Sequence, residues 1–127
     1  MQKIALKEKY PVYVHTIAKS ATAKKSVDEV IEAIRERIEA HPVATFIAIF
    51  DHYSHTKSLA EGSIAPEIKD AKNIVFCFGK ELPKPELLGV RPRSIGVAET
   101  EESFVISFCE APNPQANDAM MEWISAL

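Results

Sequence analysis

The stretch from Ser26 to Phe50, SVDEVIEAIRERIEAHPVATFIAIF, decides the fold class, because it joins a helical pattern directly to a strand pattern. Ser26 and Glu29 form an S-x-x-E capping box, which is typical of a helix start. Valine and isoleucine then recur at helical spacing opposite a charged side, until Pro42 ends the pattern. A helix with one apolar stripe has to pack on another layer. The stripe consists of Val27, Val30, Ile31, Ile34 and Ile38.

The strand that follows this helix, VATFIAIF at residues 43–50, is apolar along almost its whole length. Such a run predicts an interior strand that is covered on both faces. A second amphipathic helix is predicted from Asn113 to Leu127, and a short helix over residues 54–61. Further strands, rich in β-branched and aromatic residues, are predicted at residues 11–18, 74–78, 94–99 and 103–110.

The order strand, helix, four strands, helix predicts one α+β domain over residues 1–127. We expect a two-layer sandwich in which a mostly antiparallel sheet carries both long helices on one face. The residues before Tyr10 alternate between apolar and charged types, and we expect them to form a charged lead to the first strand.

Charge and composition limit the partners that the chain can have. A net charge of -3 provides no field that attracts nucleic acid, so we expect no nucleic-acid partner. No apolar stretch approaches the roughly 20 residues that span a bilayer, and the N-terminus lacks a signal-peptide pattern, so we expect no membrane partner. Cys77 and Cys109 lie in apolar strands without a spaced framework, which predicts free thiols and a cytoplasmic location.

Side-chain alternation divides the predicted sheet into two faces. The face assigned to the helix-covered core carries Ile74, Phe76, Phe78, Ile95, Val97, Phe104, Ile106 and Phe108. The opposite face carries small, uncharged side chains, namely Val75, Cys77, Gly96, Ala98, Val105, Ser107 and Cys109. Since a sheet face left in water normally carries long polar residues, we expect a second subunit, a ligand, or the N-terminal or 52–72 segment to cover it. Our hypothesis is a symmetric homodimer.

Asp51, His52 and His55 follow the apolar strand and form the first candidate site. An H-x-x-H pair on one helical turn places two imidazoles on the same side, and zinc or iron accepts such ligands. His52 and His55 are therefore candidate metal ligands, with Asp51 as a possible third. The alternative is a helix start that Asp51 caps, with both histidines half exposed.

Arg91 and Arg93 flank Pro92 at the entry to a strand and form the second candidate site. Their forked donors suit a carboxylate or phosphate ligand. The alternative is that both arginines form surface ion pairs with Glu99, Glu101 or Glu110.

Motifs of several enzyme classes are missing from the sequence. It contains no Walker loop, no G-x-G-x-x-G and no G-x-S-x-G elbow, and it identifies no cofactor. The two cysteines lack C-x-x-C spacing and a basic neighbour, so we expect inert thiols. Nothing in the sequence requires an enzyme.

From about Ser26 to Pro112 the chain resembles domain-of-unknown-function family three-zero-two. The resemblance implies a fold similar to that of the TATA-box-binding protein, in small proteins that can dimerise and have no known activity. Lys80 and Glu81 stand where that family has asparagine and proline, and Asp51, His52 and Gly79 match residue by residue. A shared fold does not transfer DNA binding. The segments that carry the resemblance are SVDEVIEAIRERIEAH, FDH at 50–52, LAEG at 59–62, IVFCFG at 74–79 and APN at 111–113.

The leading hypothesis is a homodimeric module that binds a small molecule or anion in a cleft near Asp51, His52, His55 and Arg93. One alternative is a metal-dependent enzyme centred on Asp51, His52 and His55. Another is a structural or partner-binding subunit that uses the small-residue face of the sheet.

Overall fold

The computed structural model describes residues 1–127, which form six strands and three α-helices. None of the helices combines the length and the apolar character that crossing a membrane requires. The helices are α1 (Val27–Ala40), α2 (His52–Ser58) and α3 (Pro114–Ser125). The strands are β1 (Gln2–Leu6), β2 (Tyr10–Ala18), β3 (Ala44–Phe50), β4 (Asp70–Phe78), β5 (Arg93–Glu99) and β6 (Ser103–Cys109).

All six strands belong to one antiparallel sheet with the order β1-β2-β6-β5-β4-β3. From β2 onward the chain follows the predicted order of strand, helix, four strands and helix, with the short α2 inserted after β3. The α+β architecture is therefore confirmed.

The prediction that the N-terminal residues form only a charged lead is wrong. Residues 2–6 pair with β2 and extend the sheet by one strand. The chain reverses through Lys7 and Glu8, whose φ angles are 50° and 63°. Hairpin turns with positive φ favour asparagine and glycine, so a lysine and a glutamate gave no turn signal in the sequence.

Local capping explains where α1 begins and ends. The Ser26 hydroxyl accepts a hydrogen bond from the Glu29 amide at 3.1 Å, and the Glu29 carboxylate accepts one from the Lys25 amide. At the other end the His41 amide donates to the Ile38 carbonyl at 3.1 Å. The predicted cap at Ser26 is confirmed, whereas Glu29 binds the amide of the preceding Lys25 and not that of Ser26. The whole predicted stripe of α1 is buried.

The core lies between the sheet and the long helices α1 and α3. Trp123 of α3 stacks on the Phe78 ring of β4, with 5.5 Å between the ring centroids. The large side chains assigned to this face are buried, and Phe78 is partly buried against them, so the parity prediction is confirmed. The buried set is Ile74, Phe76, Ile95, Val97, Phe104, Ile106 and Phe108.

The position of β3 differs from the prediction. The apolar run at residues 43–50 was expected to be an interior strand, but β3 is the outermost strand and pairs only with β4. A bulge between Phe46 and Ala48 shifts its register. Ile47, Ile49 and Phe50 are 50%, 39% and 40% exposed. Strand order depends on pairing between distant segments, and an apolar run alone does not encode it.

The sheet face opposite α1 and α3, here called the helix-free face, is open to solvent at its centre. Val12 of β2 is buried, but the other small residues of this face are partly or fully exposed. The N-terminal strand extends the sheet at its edge, and α2 contacts the sheet at β4. The expectation that one of these segments covers the face is therefore wrong.

Candidate functional site

An open groove of about 580 Å³ lies on the helix-free face. Its floor consists of small or polar residues of β4, β5 and β6. Leu6 and Val12 contribute apolar surface from the N-terminal hairpin, and Val90 and Pro92 contribute apolar surface from the segment before β5. The floor residues are Asn73, Ser94, Gly96, Ser107 and Cys109.

Strand register explains why the groove forms at this place. Asn73, Gly96 and Ser107 stand opposite one another on β4, β5 and β6. A Cβ atom on Gly96 would lie 3.3 Å from the Asn73 amide nitrogen, so a side chain there would push against the floor. The absence of a side chain at residue 96 therefore gives the groove its depth and exposes the Asn73 amide.

Arg93 is the positively charged residue of the groove lining. Its Nη2 donates a hydrogen bond to the Cys109 carbonyl, while its Nε is buried and has no hydrogen-bond partner. Burial lowers the pKa of the Arg93 guanidinium from its ordinary value. A guanidinium stays protonated in proteins, so Arg93 adds an unpaired positive charge to the groove lining.

Two of the three carboxylates named as ion-pair partners, Glu110 and Glu99, are bound elsewhere, and Glu101 forms no ion pair. Glu110 also lines the groove, but Lys3 lies 2.5 Å from its carboxylate and Tyr13 donates to it at 3.3 Å. Glu99 pairs with Lys19 at 2.6 Å. Neither arginine forms an ion pair, so the surface ion-pair alternative for Arg91 and Arg93 is wrong.

The Lys3–Glu110 pair gives the first testable prediction, since it ties β1 to the end of β6. The hydrogen bond that the Glu110 carboxylate accepts from Lys3 is the main reason that the pKa of Glu110 lies below its ordinary value of 4.5. A depressed carboxylate pKa stabilises the fold above pH 4.5, and this contribution is lost as the pH falls through the lowered pKa. We expect the thermal midpoint of Glu110→Gln to fall less than that of the wild type between pH 6 and pH 3.

Glu101→Gln is the matched control for this prediction, because Glu101 is exposed and has no ion pair. Its midpoint should follow the wild-type pH profile. Identical profiles for Glu110→Gln and the wild type would show that the pair does not hold β1.

Asp51, His52 and His55 lie at the junction of β3 and α2. Asp51 caps α2, because its Oδ1 accepts a hydrogen bond from the Ser54 amide at 3.0 Å. This bond is the main reason that the pKa of Asp51 lies below its ordinary value. The rings of His52 and His55 lie 5.1 Å and 5.2 Å from the Phe50 ring, between centroids. The structure thus has the predicted cap, with both histidines exposed beside an aromatic ring.

Few further metal ligands accompany the two histidines. Their ring centroids are 6.5 Å apart, and His52 Nδ1 lies 3.1 Å from the Asn73 side-chain oxygen. No group of three or more His, Cys, Asp or Glu side chains in the structure could hold a metal ion together. The His52–His55 metal site stays a prediction, and elemental analysis of the purified protein tests it.

The five predicted site residues do not share one cleft. Arg93 lines the groove, and His52 adjoins it through its contact with Asn73. Arg91 lines a separate pocket beside His41 and donates to the Glu81 carbonyl at 2.6 Å. Arg91 and Arg93 also line one small pocket together, beside Phe78 and Ala116, but only Arg93 reaches the groove on the small-residue face.

The sequence prediction missed Asn73 and Ser94 as site residues. Asn73 is a polar residue on the same side of β4 as Val75 and Cys77, which is the signal that could have identified it. Ser94 stands beside Arg93 at the beginning of β5, and nothing in its neighbourhood distinguishes it in the sequence. Ser107, Gly96 and Cys109 were placed correctly on this face from strand parity.

Comparison with known proteins gives one match, to the model of a Family of unknown function (DUF6858), over residues 1–127. No curated protein and no solved structure matches the chain. The match agrees with the resemblance to a family of unknown function. It does not confirm family three-zero-two or the TATA-box-binding-protein-like fold.

Proposed function

The chain belongs to a family without an assigned function (DUF6858), so its function has to be inferred from its site. We propose that it is a homodimeric protein that binds a small organic anion in the groove. The observation that carries the proposal is the Arg93 guanidinium, a positive charge in the groove lining that no carboxylate neutralises. An unpaired guanidinium offers its charge and its forked donors to a ligand anion.

The rest of the groove supports an anion that has an apolar body. A carboxylate can accept two parallel hydrogen bonds from a guanidinium, which gives both affinity and orientation. The Ser94 and Ser107 hydroxyls and the Asn73 amide supply further polar groups, while Leu6 and Val90 supply apolar surface. A volume of about 580 Å³ lies within the range of small-molecule sites, which is roughly 300–1,000 Å³.

Apolar side chains that a single copy leaves exposed support the homodimer. They occur at both edges of the sheet, where Ile4 and Leu6 belong to β1 and Ile47 and Phe50 belong to β3. Contiguous exposed apolar surface usually serves an interaction. The two free cysteines support a cytoplasmic location as part of the same proposal.

We also propose that the fold is similar to that of the TATA-box-binding protein. The element order supports this, since one strand and a helix precede four strands and a second long helix, in β2, α1, β3 to β6 and α3. A crystal structure superposed on that fold tests this part. A different strand order in the crystal would contradict it.

Titration with octanoate tests the binding proposal, because octanoate combines a carboxylate with an apolar chain. We expect isothermal titration calorimetry to detect binding to the wild type. Since a hydrogen bond to a charged group contributes about 1.5–3 kcal/mol, Arg93→Gln should weaken binding roughly ten- to a hundredfold. Octylammonium, which has the same chain and the opposite charge, should not bind.

Arg91→Gln is the matched control, because Arg91 lies on the other side of Pro92 and does not line the groove. It should bind octanoate as the wild type does. Equal binding by Arg93→Gln and Arg91→Gln, or binding of octylammonium with similar affinity, would contradict the proposed anion site.

A further inference from the structure

The outer edge of β3 combines exposed main-chain groups with an apolar sequence. Because β3 pairs only with β4, the N–H and C=O groups along its other side have no partner strand. Its seven residues, ATFIAIF, include neither a charged residue nor a proline. Natural proteins usually protect such edges with charges, prolines or covering segments, because an open edge is a template for another strand.

The other edge of the sheet has the protection that β3 lacks. The outermost strand there, β1, has only five residues, and the second of them is Lys3. Short length and an edge lysine both discourage pairing with a further strand. β3 does contain a bulge, but the extra residue is Ile47, which is half exposed and apolar. The two edges therefore differ, and β3 is the one suited to a partner.

Both sides of the β3 edge expose apolar side chains. Ile49 stands opposite Ile74 on the helix-covered side, while Phe50 stands opposite Asn73 on the helix-free side. Ile49 is 39% and Phe50 is 40% exposed. An apolar residue on each side is typical of interior strands, whose two faces are both covered. The sequence of β3 is thus that of an interior strand, and its place in a single copy is an edge.

A second copy of the chain is the occupant that fits this edge. Antiparallel pairing about a two-fold axis sets β3 against its own sequence, and an uncharged strand meets no like charge there. On the helix side, Arg35 packs over the Phe46 ring of β3 at 4.0 Å and pairs with Glu39 at 2.7 Å. Its charge is balanced within one copy.

The size of the contact also suits a dimer. Seven extended residues span about 24 Å, and antiparallel pairing forms about one main-chain hydrogen bond per residue. About seven such bonds lie within the range of roughly 10 ± 5 that protein interfaces have. Pairing at this edge also leaves the Arg93 groove open, whereas a copy packed across the helix-free face would fill it.

We propose that two copies pair antiparallel through β3, which joins their sheets into one continuous sheet of twelve strands. The proposal rests on the homodimer part of the proposed function and names its interface. Each groove then lies on the same continuous face and remains accessible to its ligand.

Two matched pairs of lysine substitutions test the interface by sedimentation equilibrium over a wide range of concentration. Thr45 and Thr16 are both exposed threonines on the helix-free face, but Thr45 lies on β3 and Thr16 on β2. Ile47 and Ile4 are both exposed isoleucines, on the β3 edge and the β1 edge. We expect a wild-type dimer that Thr45→Lys and Ile47→Lys weaken at least tenfold, while Thr16→Lys and Ile4→Lys leave it unchanged.

The outcomes separate this interface from the rest of the proposed function. A wild type that stays monomeric overturns both the interface and the homodimer, while octanoate binding by Arg93 is judged independently by calorimetry. A dimer that Thr16→Lys or Ile4→Lys dissociates, and the β3 variants do not, overturns the β3 interface and keeps the homodimer.

Hydrogen exchange of the wild-type protein provides a second measurement if a β3 variant fails to fold. The β3 amides should become more protected as the protein concentration rises through the dimerisation range. Protection of β3 that does not change with concentration overturns the interface.

Discussion

Replacing Phe76 with alanine is expected to lower the free energy of unfolding by about 3–5 kcal/mol. Phe76 is fully buried at the centre of the core, where its ring lies 5.6 Å from the rings of Phe78 and Trp123, between centroids. The substitution removes the contact of Phe76 with Trp123 of α3 and leaves a cavity in the core. Domains of this size are stable by only about 5–15 kcal/mol, so the loss should be large in a urea titration.

Tyr10→Ala is the control for this substitution, because it also truncates an aromatic residue of the sheet but at a position that is 58% exposed. Surface truncations usually change stability by less than about 0.5 kcal/mol. Both variants should be measured at the same protein concentration as the wild type, since association would add to stability. Similar losses for Phe76→Ala and Tyr10→Ala would contradict the described core.

Gly79→Ala is expected to destabilise the protein by about 1–2 kcal/mol, the cost of a side chain in the left-handed region. Gly79 ends β4 with a φ of 89°, and its amide donates to the Val43 carbonyl at 2.8 Å. Only glycine adopts this conformation without a steric penalty. An alanine must either accept the strain or rotate its amide away from Val43, which would loosen the end of the β3–β4 pair.

Gly89→Ala is the matched control, because a Cβ atom at Gly89 would have no neighbour within 4 Å and its φ is not positive. This variant should be neutral or up to about 1 kcal/mol more stable than the wild type, since alanine restricts the unfolded chain. Chemical denaturation of both variants decides the prediction. Equal stability of Gly79→Ala and Gly89→Ala would show that the turn does not require glycine.

Local patterns in the sequence predicted the parts of the fold that local interactions determine. The cap at Ser26 and the apolar stripe of α1 specify a helix within one continuous segment. Strand alternation likewise assigned Phe76, Phe104 and Ile106 to the core, because neighbouring side chains on a strand must face opposite ways.

Strand order and site composition depend on pairing between distant segments, and single-segment patterns did not predict them. β3 was expected inside the sheet because it is apolar. Composition alone does not show how many strands pair with it. Arg93 was identified from its charge, but the sequence did not show that Arg93 lines the groove and Arg91 does not. Asn73 joins Arg93 in the groove only because β4 and β5 pair in one particular register.

Cys109 makes the groove chemically addressable without any engineering of the chain. Its side chain lies in the groove floor and is exposed, so the expectation of an inert thiol does not hold for Cys109. Cys77, the only other cysteine, is less exposed on β4. Exposed thiols react faster with alkylating reagents than covered ones. A fluorophore attached at Cys109 would therefore stand inside the site and report its occupancy directly. Small thiol-reactive fragments could be screened at the same position, so that covalent capture compensates for weak intrinsic affinity.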